Sequence, residues 1–205
     1  MHDVDTLIEQ LRPYVASERV LDAIVAVPRE CFVPAPLRDR AYDNRALAIG
    51  CGQTISQPLV VARMSELLDP LPDGRVLDVG TGSGYHAAVL ARLSAHVWSI
   101  EVHAALSAAA ADSLAQAGAG DVTLVVGDGS AGLPDEAPFD AINVAAAGPV
   151  DRLAALLGQL GPGGRLVAPV SDESGDQHLC VFARRESGDF TQRRYERVRF
   201  VPLVG

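Results

Sequence analysis

Residues 75–85 read Arg75-Val-Leu-Asp-Val-Gly-Thr-Gly-Ser-Gly-Tyr85. The apolar run 76–79, interrupted by Asp78 alone, is typical of a buried parallel strand. Three alternate glycines then permit a tight turn in which bare backbone approaches a ligand. Apolar positions between 85 and 93 predict a helix after the turn. Strand, glycine turn and helix together indicate the start of a nucleotide-type βαβ unit.

The glycine spacing is G-x-G-x-G and not the G-x-G-x-x-G of a dinucleotide-binding site. With no pyrophosphate to bind, an acid such as Asp78 is acceptable beside the turn. A second apolar run, 97–100, is followed by Glu101, roughly 20 residues after the first glycine, where an acid binds ribose hydroxyls. A tight turn without a ligand is the alternative, and the position of Glu101 weakens it.

Composition limits the function classes. The chain has 205 residues, 48% of them hydrophobic, which suits one α/β domain. Its net charge of −9 argues against a nucleic-acid partner. No apolar run reaches the ~18 residues that cross a bilayer, and the first residues lack a signal-peptide pattern. Three widely separated cysteines show no zinc or disulfide spacing, so we expect no metal and a reducing, cytoplasmic compartment.

The remaining pattern predicts alternating helices and strands. Helices are expected as two short segments within 5–25, capped by Asp5 and Ser17, and at 58–68, 103–117 and 153–160. Further strands are expected at 122–126, 138–144, 165–170, 179–183 and 198–203. Residues 48–58 are expected as a glycine-containing loop, and 161–164 as a turn.

The loop at 48–58 contains a second informative residue. Ser56 stands before Gln57 and Pro58, so its simplest role is N-cap of the next helix. A functional alternative is a hydroxyl and an N–H group presented to an anionic substrate at a helix N-terminus. The two roles are compatible, and Thr54 is placed to act similarly.

These motifs resemble one known family. Val76-Leu-Asp-Val-Gly-Thr-Gly-Ser-Gly-Tyr85 resembles the cofactor motif of class I S-adenosylmethionine methyltransferases, a motif that many of them share. Together with Gly52-Gln-Thr-Ile-Ser-Gln-Pro58 it resembles the protein-L-isoaspartate O-methyltransferase family, and the match runs from about residue 20 to the end. Supporting segments are 27–33, 127–129, 137–142, 163–167 and 201–203.

The resemblance implies an α/β, Rossmann-like class I methyltransferase fold. A mostly parallel seven-stranded sheet would be flanked by helices, with a small N-terminal helical annex. The implied organisation is one methyltransferase domain over 1–205. Residues 1–58 would form the annex and substrate loop, and 59–205 the cofactor-binding core with closing C-terminal strands.

The implied activity is transfer of the methyl group of S-adenosyl-L-methionine, which leaves S-adenosyl-L-homocysteine, to the free α-carboxylate of L-isoaspartyl residues. Repair of damaged proteins and peptides would then begin through a succinimide. An α-carboxylate has a pKa near ~3.5 and is ionised at pH 7, so no general base is required. Isoaspartyl peptides and proteins are the expected partners of a cytoplasmic monomer, without nucleic acid or membrane.

The resemblance also implies residue roles. Ser56 would be the catalytic residue, orienting the carboxylate by a hydrogen bond without acting as a nucleophile. The implied substrate-binding residues are Thr54, Ile55, Ser56, Val201, Pro202 and Leu203. The implied cofactor-binding residues are Ile49, Gly50, Cys51, Gly52, Asp78, Gly80, Thr81, Gly82, Ser83, Gly84, Tyr85, Glu101, Val102, Asp128 and Gly129. Within this set, Glu101 would hold the ribose, and Asp128 and Gly129 the adenine.

Some positions depart from the family pattern. His86 stands where a smaller or amide side chain is more usual, and Asn143 and Ala145 replace hydrophobic and threonine residues. These departures leave open an alternative substrate, a dedicated peptide methylated on aspartate during natural-product maturation. A small-molecule O-methyltransferase is disfavoured, because phenolic substrates require a metal or a base and the sequence shows no acid cluster suited to a divalent ion. A non-catalytic binding module fits poorly with the joint retention of Ser56, Asp78, Glu101 and Asp128.

Overall fold

The computed structural model describes residues 3–204. Its helices are α1 (Val4–Leu11), α2 (Glu18–Ala26), α3 (Pro58–Leu68), α4 (Tyr85–Ala91), α5 (Ala104–Ala117) and α6 (Ala154–Gly158). Its strands are β1 (Leu47–Gly50), β2 (Gln53–Ile55), β3 (Arg75–Val79), β4 (His96–Glu101), β5 (Val122–Val126), β6 (Phe139–Val144), β7 (Leu160–Ser171), β8 (Gln177–Arg184) and β9 (Phe190–Val198). Short 3-10 helices occupy Arg29–Phe32, Ala35–Arg40, Gly129–Ala131, Pro134–Glu136 and Val150–Leu153.

Seven strands form one sheet in the order β5-β4-β3-β6-β7-β8-β9. The first five strands in this order, β5, β4, β3, β6 and β7, are parallel. The last two, β8 and β9, continue the sheet antiparallel at one edge. The predicted Rossmann-like, mostly parallel seven-stranded sheet is therefore confirmed. From β3 the chain proceeds to β4 on one side and later returns as β6 on the other. Ligands of α/β sheets bind at such a switch point, beyond the carboxyl ends of the strands.

Helices cover both faces of the sheet. Successive residues of β3 point to opposite faces, so Val76 packs with Met64 of α3 and Leu90 of α4, whereas Leu77 packs with Leu156 of α6. The apolar stripes of α1 and α2 share a core cluster with α4 and with the end of α5. Both faces of β3 are therefore buried, and this burial holds the start of the turn that follows the strand. The division of the chain at residue 58 stays a prediction.

Two expected N-caps have different outcomes. Ser17 caps α2, accepting a hydrogen bond from the backbone N–H of Val20, as predicted. The prediction of Asp5 as the first cap is wrong, because Asp3 accepts the bond from Thr6 N at 2.9 Å and Asp5 lies in the first turn. Within residues 3–204, no helix is long and apolar enough to cross a bilayer.

The expected loop at 48–58 is instead an antiparallel hairpin of β1 and β2. Its tip, Gly50-Cys51-Gly52, has φ values of 116°, 50° and 71°. Glycine adopts positive φ readily, whereas Cys51 does so against the usual preference of a side chain. The hairpin holds Ile55 buried and leaves Thr54 exposed.

Two further sequence predictions are wrong. The expected turn 161–164 belongs to β7, because Phe139 pairs with Leu160 while Ala141 pairs with Arg165, so the extra residues form an irregularity within the ladder. The last strand is 190–198 and not 198–203. Its side chains are mostly polar and exposed, and pairing with β8 stabilises it instead of apolar burial.

Candidate active site

The glycine turn is held against the end of β4. The N–H groups of Gly80 and Thr81 both donate to the carbonyl of Ile100, at 2.9 and 3.3 Å, and Gly84 N donates to Thr81 O at 2.8 Å. Gly80, Gly82 and Gly84 have φ values of 95°, 53° and 86°. A side chain at these positions would be strained, so the three glycines are required by the backbone itself.

Glu101 fixes the middle of this turn. One carboxylate oxygen accepts from Gly82 N at 2.9 Å and the other from His103 N at 2.9 Å. The residue is only 6% exposed. Because a carboxylate oxygen accepts more than one hydrogen bond, both oxygens keep capacity for a ligand hydroxyl. This is the position expected of a ribose-binding acid.

A cavity opens between the turn, the hairpin and the C-terminal segment. The predicted residues that line it are Thr54, Ile55, Ser56, Gly80, Thr81, Gly82, Ser83, Tyr85, Glu101, Val102, Gly129, Val201, Pro202 and Leu203. Others were not predicted: Gln53, Val61, Val79, His86, Ile100, His103, Ala145, Ala146 and Val204. Among the described residues, no Arg or Lys lines the cavity.

The structure does not bring every predicted residue to the cavity wall. Gly84 is the N-cap of α4, where an added Cβ would approach Ala110 Cβ to 3.3 Å, so close packing requires it. Asp128 is exposed and accepts from Ser130 N at 2.8 Å; hydrogen bonding by the Ser130 side chain, and then by its backbone N–H, holds the pKa of the Asp128 carboxyl below its usual value. Asp78 is fully buried below the turn. The ligand roles of these residues stay predictions.

Residues 49–52 also lie outside the cavity wall, at the end of the hairpin. Ile49 Cδ1 would be 3.5 Å from a Cβ placed on Gly82, so the hairpin lies over the glycine turn. Gly50, Cys51 and Gly52 form the exposed tip. The predicted contribution of 49–52 to the mouth of the site is compatible with this placement and is not tested by it.

Ser56 is not the cap of α3. The N-cap is Gln57, which makes no side-chain cap bond, and the side chain of Asn44 accepts from Leu59 N at 3.1 Å instead. Among residues 3–204, the Ser56 hydroxyl has no hydrogen-bond partner, and the residue is half-buried. The hydroxyl is therefore free to bind a ligand.

The backbone of Ser56 is anchored by Arg29. This side chain is fully buried and donates from Nη2 to Ser56 O at 2.6 Å and from Nε to Ala41 O at 2.8 Å. Its guanidinium lies 4.5 Å from the centre of the Tyr85 ring. Burial lowers the pKa of this guanidinium. Arg29 thus ties the hairpin loop to the first residue of α4.

The C-terminal segment closes the opposite wall. Ala147 N donates to Val201 O at 2.8 Å, and Leu203 N donates to Ala147 O at 2.7 Å. Pro202 lies between them in an isolated parallel bridge with Ala147. Residues 201–203 are therefore held beside the end of β6, although they do not form the strand that their apolar character predicted.

A polar ladder crosses the sheet directly below the turn. Asp78 pairs in register with Ser99 of β4 and Asn143 of β6, so the three side chains share one face. Ser99 Oγ donates to Asp78 Oδ2 at 2.7 Å, and Asn143 Nδ2 donates to Asp78 Oδ1 at 2.7 Å. Burial raises the pKa of Asp78 to about 6, although both hydrogen bonds oppose the rise. Thr81 Oγ1 lies 2.7 Å from Ser99 Oγ, which links the ladder to the turn.

Two helical residues extend the ladder. Asn143 Nδ2 is 3.1 Å from His86 Nδ1, and His86 Nε2 is 3.1 Å from Ser65 Oγ. An amide nitrogen only donates, so His86 Nδ1 accepts and Nε2 carries the proton. Burial lowers the pKa of His86 to about 3, which keeps the ring neutral. His86 and Asn143, the two positions expected to depart from the family pattern, are therefore partners.

Contacts among these buried polar residues were not predicted. A signal was nevertheless present, because Asp78, Ser99 and Asn143 each interrupt an apolar run near the end of a strand that was correctly expected. Arg29 gave no comparable signal. A charged residue in a proline-rich passage is usually exposed, and only the packed structure reveals its burial.

The His86→Gln variant is expected to lose less stability in acid than the wild type. The unfolded histidine, with a pKa of 6.5, binds a proton below that pH, whereas the folded one does not until about 3. The contribution of neutral His86 to the free energy of unfolding is therefore complete above pH 6.5 and is lost as the pH falls below it. Asp78 has the opposite pH dependence in both proteins: its folded pKa of about 6 lies above 3.8, so protonation of Asp78 favours folding as the pH falls.

Urea unfolding at about pH 7.5 and about pH 5 measures this difference. The gap in unfolding free energy between wild type and variant should change by about 2 kcal/mol in favour of the variant at the lower pH. His96→Gln, at a half-exposed histidine, is the matched control. A gap independent of pH would contradict the assigned neutrality of His86.

The family model and two curated relatives indicate the same family. The sequence model of the protein-L-isoaspartate(D-aspartate) O-methyltransferase family matches residues 2–205. A protein-L-isoaspartate O-methyltransferase of Roseiflexus castenholzii is 50% identical over 204 residues, 98% of this chain and 90% of the relative. That of Pectobacterium atrosepticum is 47% identical over 202 residues, 98% of this chain and 95% of the relative.

Solved structures agree on the fold. One described as a protein-L-isoaspartate O-methyltransferase has a TM-score of 0.87 and 28% identity, over 99% of this chain and 66% of that chain. A Plasmodium falciparum chain, described as such an enzyme in complex with S-adenosyl-L-homocysteine, has a TM-score of 0.85 and 23% identity, over 100% and 99%. The chain has the glycine turn, Glu101 and a hairpin that leads into Ser56, and its curated relatives are up to 50% identical along nearly its whole length. It therefore belongs to the protein-L-isoaspartate(D-aspartate) O-methyltransferase family.

Proposed function

We propose that the chain methylates the free α-carboxylate of L-isoaspartyl residues in damaged proteins and peptides, using S-adenosyl-L-methionine. The methyl ester then collapses to a succinimide without further help from the enzyme, which begins repair. One observation carries the proposal: the hydroxyl of Ser56, which has no hydrogen-bond partner among residues 3–204, lies in the same cavity as the glycine turn and Glu101. The names of the curated relatives support the same substrate.

The residues of the cavity fit this cofactor. Glu101 lines the cavity, Asp78 is buried directly below it, and no Arg or Lys among the described residues lines it. This charge distribution favours a cationic sulfonium and disfavours a pyrophosphate. When bound, S-adenosyl-L-methionine supplies the methyl group and a neutral leaving group, S-adenosyl-L-homocysteine. Gly80 to Ser83, Glu101 and Gly129 would hold it.

The chain has no proton to remove from the acceptor. An α-carboxylate with a pKa near ~3.5 is already ionised at neutral pH. His86 lines the cavity but is bonded to Ser65 and Asn143, so it is not available as a base. The remaining tasks are to place the acceptor oxygen and to exclude water. The Ser56 hydroxyl donates a hydrogen bond to the carboxylate, and residues 201–203 form the facing wall.

The oligomeric state and the cellular compartment are proposals as well. We infer a monomer that acts in the cytoplasm, without a nucleic-acid partner. The free thiols of Cys31, Cys51 and Cys180 support a reducing compartment. The net charge of −9 supports the exclusion of nucleic acid.

Methyl transfer to two matched short peptides, one with L-isoaspartate and one with L-aspartate, tests the function. Base-labile label from the cofactor is expected on the isoaspartyl peptide alone. Label on neither peptide, with cofactor binding intact, would contradict the repair activity and favour a dedicated peptide substrate. Equal label on both would contradict the assigned selectivity.

A further inference from the structure

A second groove continues from the acceptor end of the cavity. It shares Thr54, Ser56, Ala145 and Val201 with the cavity and extends along residues 197–200. Neither Glu101 nor the glycine turn lines it. A polypeptide whose isoaspartyl carboxylate is at Ser56 would therefore leave the cavity through this groove. We call it the flanking groove.

The flanking groove carries positive charge in an acidic protein. Arg197 and Arg199 line it, and no carboxylate does so among the described residues. Arg197 is paired with Asp176. Arg199 is exposed, and within residues 3–204 it has no hydrogen-bond or ion-pair partner. One unpaired guanidinium thus stands beside the expected path of the substrate.

Two other cations near the end of β9 are already neutralised. Arg194 contacts His178 and lies 4.0 Å from Asp172, and Arg63 binds Glu196. Their pairing leaves Arg199 as the groove cation with no counter-charge in the described part of the chain. Phe200 next to it adds apolar surface to the same wall. An acidic side chain on the bound peptide would complete the pair.

We propose that the flanking groove binds the segment next to the isoaspartyl residue and that Arg199 makes the enzyme favour substrates with Asp or Glu there. The inference rests on the proposed function and names a subclass of its substrates. An ion pair on an exposed surface has a modest strength, so the preference is about two- to fivefold in kcat/KM. Because both charges face solvent, salt screens the preference.

Two sets of isoaspartyl peptides test this inference. One set carries Glu, Gln or Lys immediately before the isoaspartate, and the other carries the same residues immediately after it. The wild type should show a higher kcat/KM for Glu than for Lys in at least one set. The ratio should fall toward one as ionic strength rises from about 0.05 to about 0.3 M.

Three variants separate the role of Arg199 from a general effect of charge. Arg199→Gln should abolish the preference, and Arg199→Lys should retain most of it. Arg193→Gln is the matched control, since Arg193 is exposed on β9 but does not line the groove, and it should keep the wild-type ratio. An unchanged ratio in Arg199→Gln would overturn the inference. So would equal rates on Glu and Lys peptides while the Gln peptide is methylated. Failure on every isoaspartyl peptide would instead contradict the proposed function on which the inference rests.

Discussion

Replacing Ser56 with alanine is expected to lower kcat/KM for isoaspartyl peptides about 10- to 100-fold. A hydrogen bond to a charged group contributes roughly 1.5–3 kcal/mol, and the carboxylate also loses its fixed direction. The affinity for S-adenosyl-L-methionine should remain within about twofold. Gly80 to Ser83 and Glu101 lie on other elements, and within residues 3–204 the Ser56 hydroxyl makes no hydrogen bond to them.

Peptide kinetics and cofactor titration together measure this split. Ser113→Ala is a suitable control, because Ser113 is half-exposed on α5 and, among residues 3–204, its hydroxyl bonds only to Ala109 O of its own helix. It should change neither quantity. A Ser56→Ala enzyme that lost cofactor binding but kept its turnover at saturation would contradict the role in orienting the acceptor.

The Arg29→Met variant is expected to lose about 3 kcal/mol of stability and to lower kcat/KM about 10²-fold. The change leaves the carbonyls of Ser56 and Ala41 without their donor and removes the cation above the Tyr85 ring. Methionine fills the volume and spares the cost of a buried charge, which limits the loss of stability. The activity falls because the backbone of Ser56 loses the hydrogen bond from Arg29 that holds it in position.

A comparison with Arg19 isolates the effect on activity. Arg19 also donates to two carbonyls, those of Pro70 and Leu93, but it lies away from the cavity. Arg19→Met should reduce stability in urea unfolding and leave kcat/KM of the folded enzyme unchanged. Arg29→Lys should regain part of the activity, since an ammonium reaches one carbonyl more readily than two. Equal activity losses at both arginines would show that Arg29 acts through stability alone.

The core of the fold could be predicted because its signals are local. Largely apolar runs of four to six residues mark β3 to β6, and glycine or an acid follows the runs of β3, β4 and β5. The glycine turn follows from spacing alone. The cavity residues at 80–83 and Glu101 follow from the same pattern. They require only that strand ends lie at one edge of the sheet.

Other parts depend on partners that are distant in sequence. The strand β9 is mostly polar, and its pairing with β8 determines where it lies, so the apolar stretch 198–203 was misassigned. The segment 161–164 looks like a turn because of its glycines and proline, yet the parallel ladder incorporates it. Asn44 acts where Ser56 was expected, because the hairpin brings it to the start of α3.

The ladder formed by Ser99, Asp78 and Asn143 has an evolutionary consequence. Ser99 and Asn143 each donate a hydrogen bond to the buried carboxylate of Asp78, so changing one residue alone leaves a buried acceptor or donor without its partner. Relatives that replace the acid by another residue should therefore carry compensating replacements on both adjoining strands. Covariation among positions 78, 99 and 143, extending to 86, is the trace that this coupling should leave across lineages.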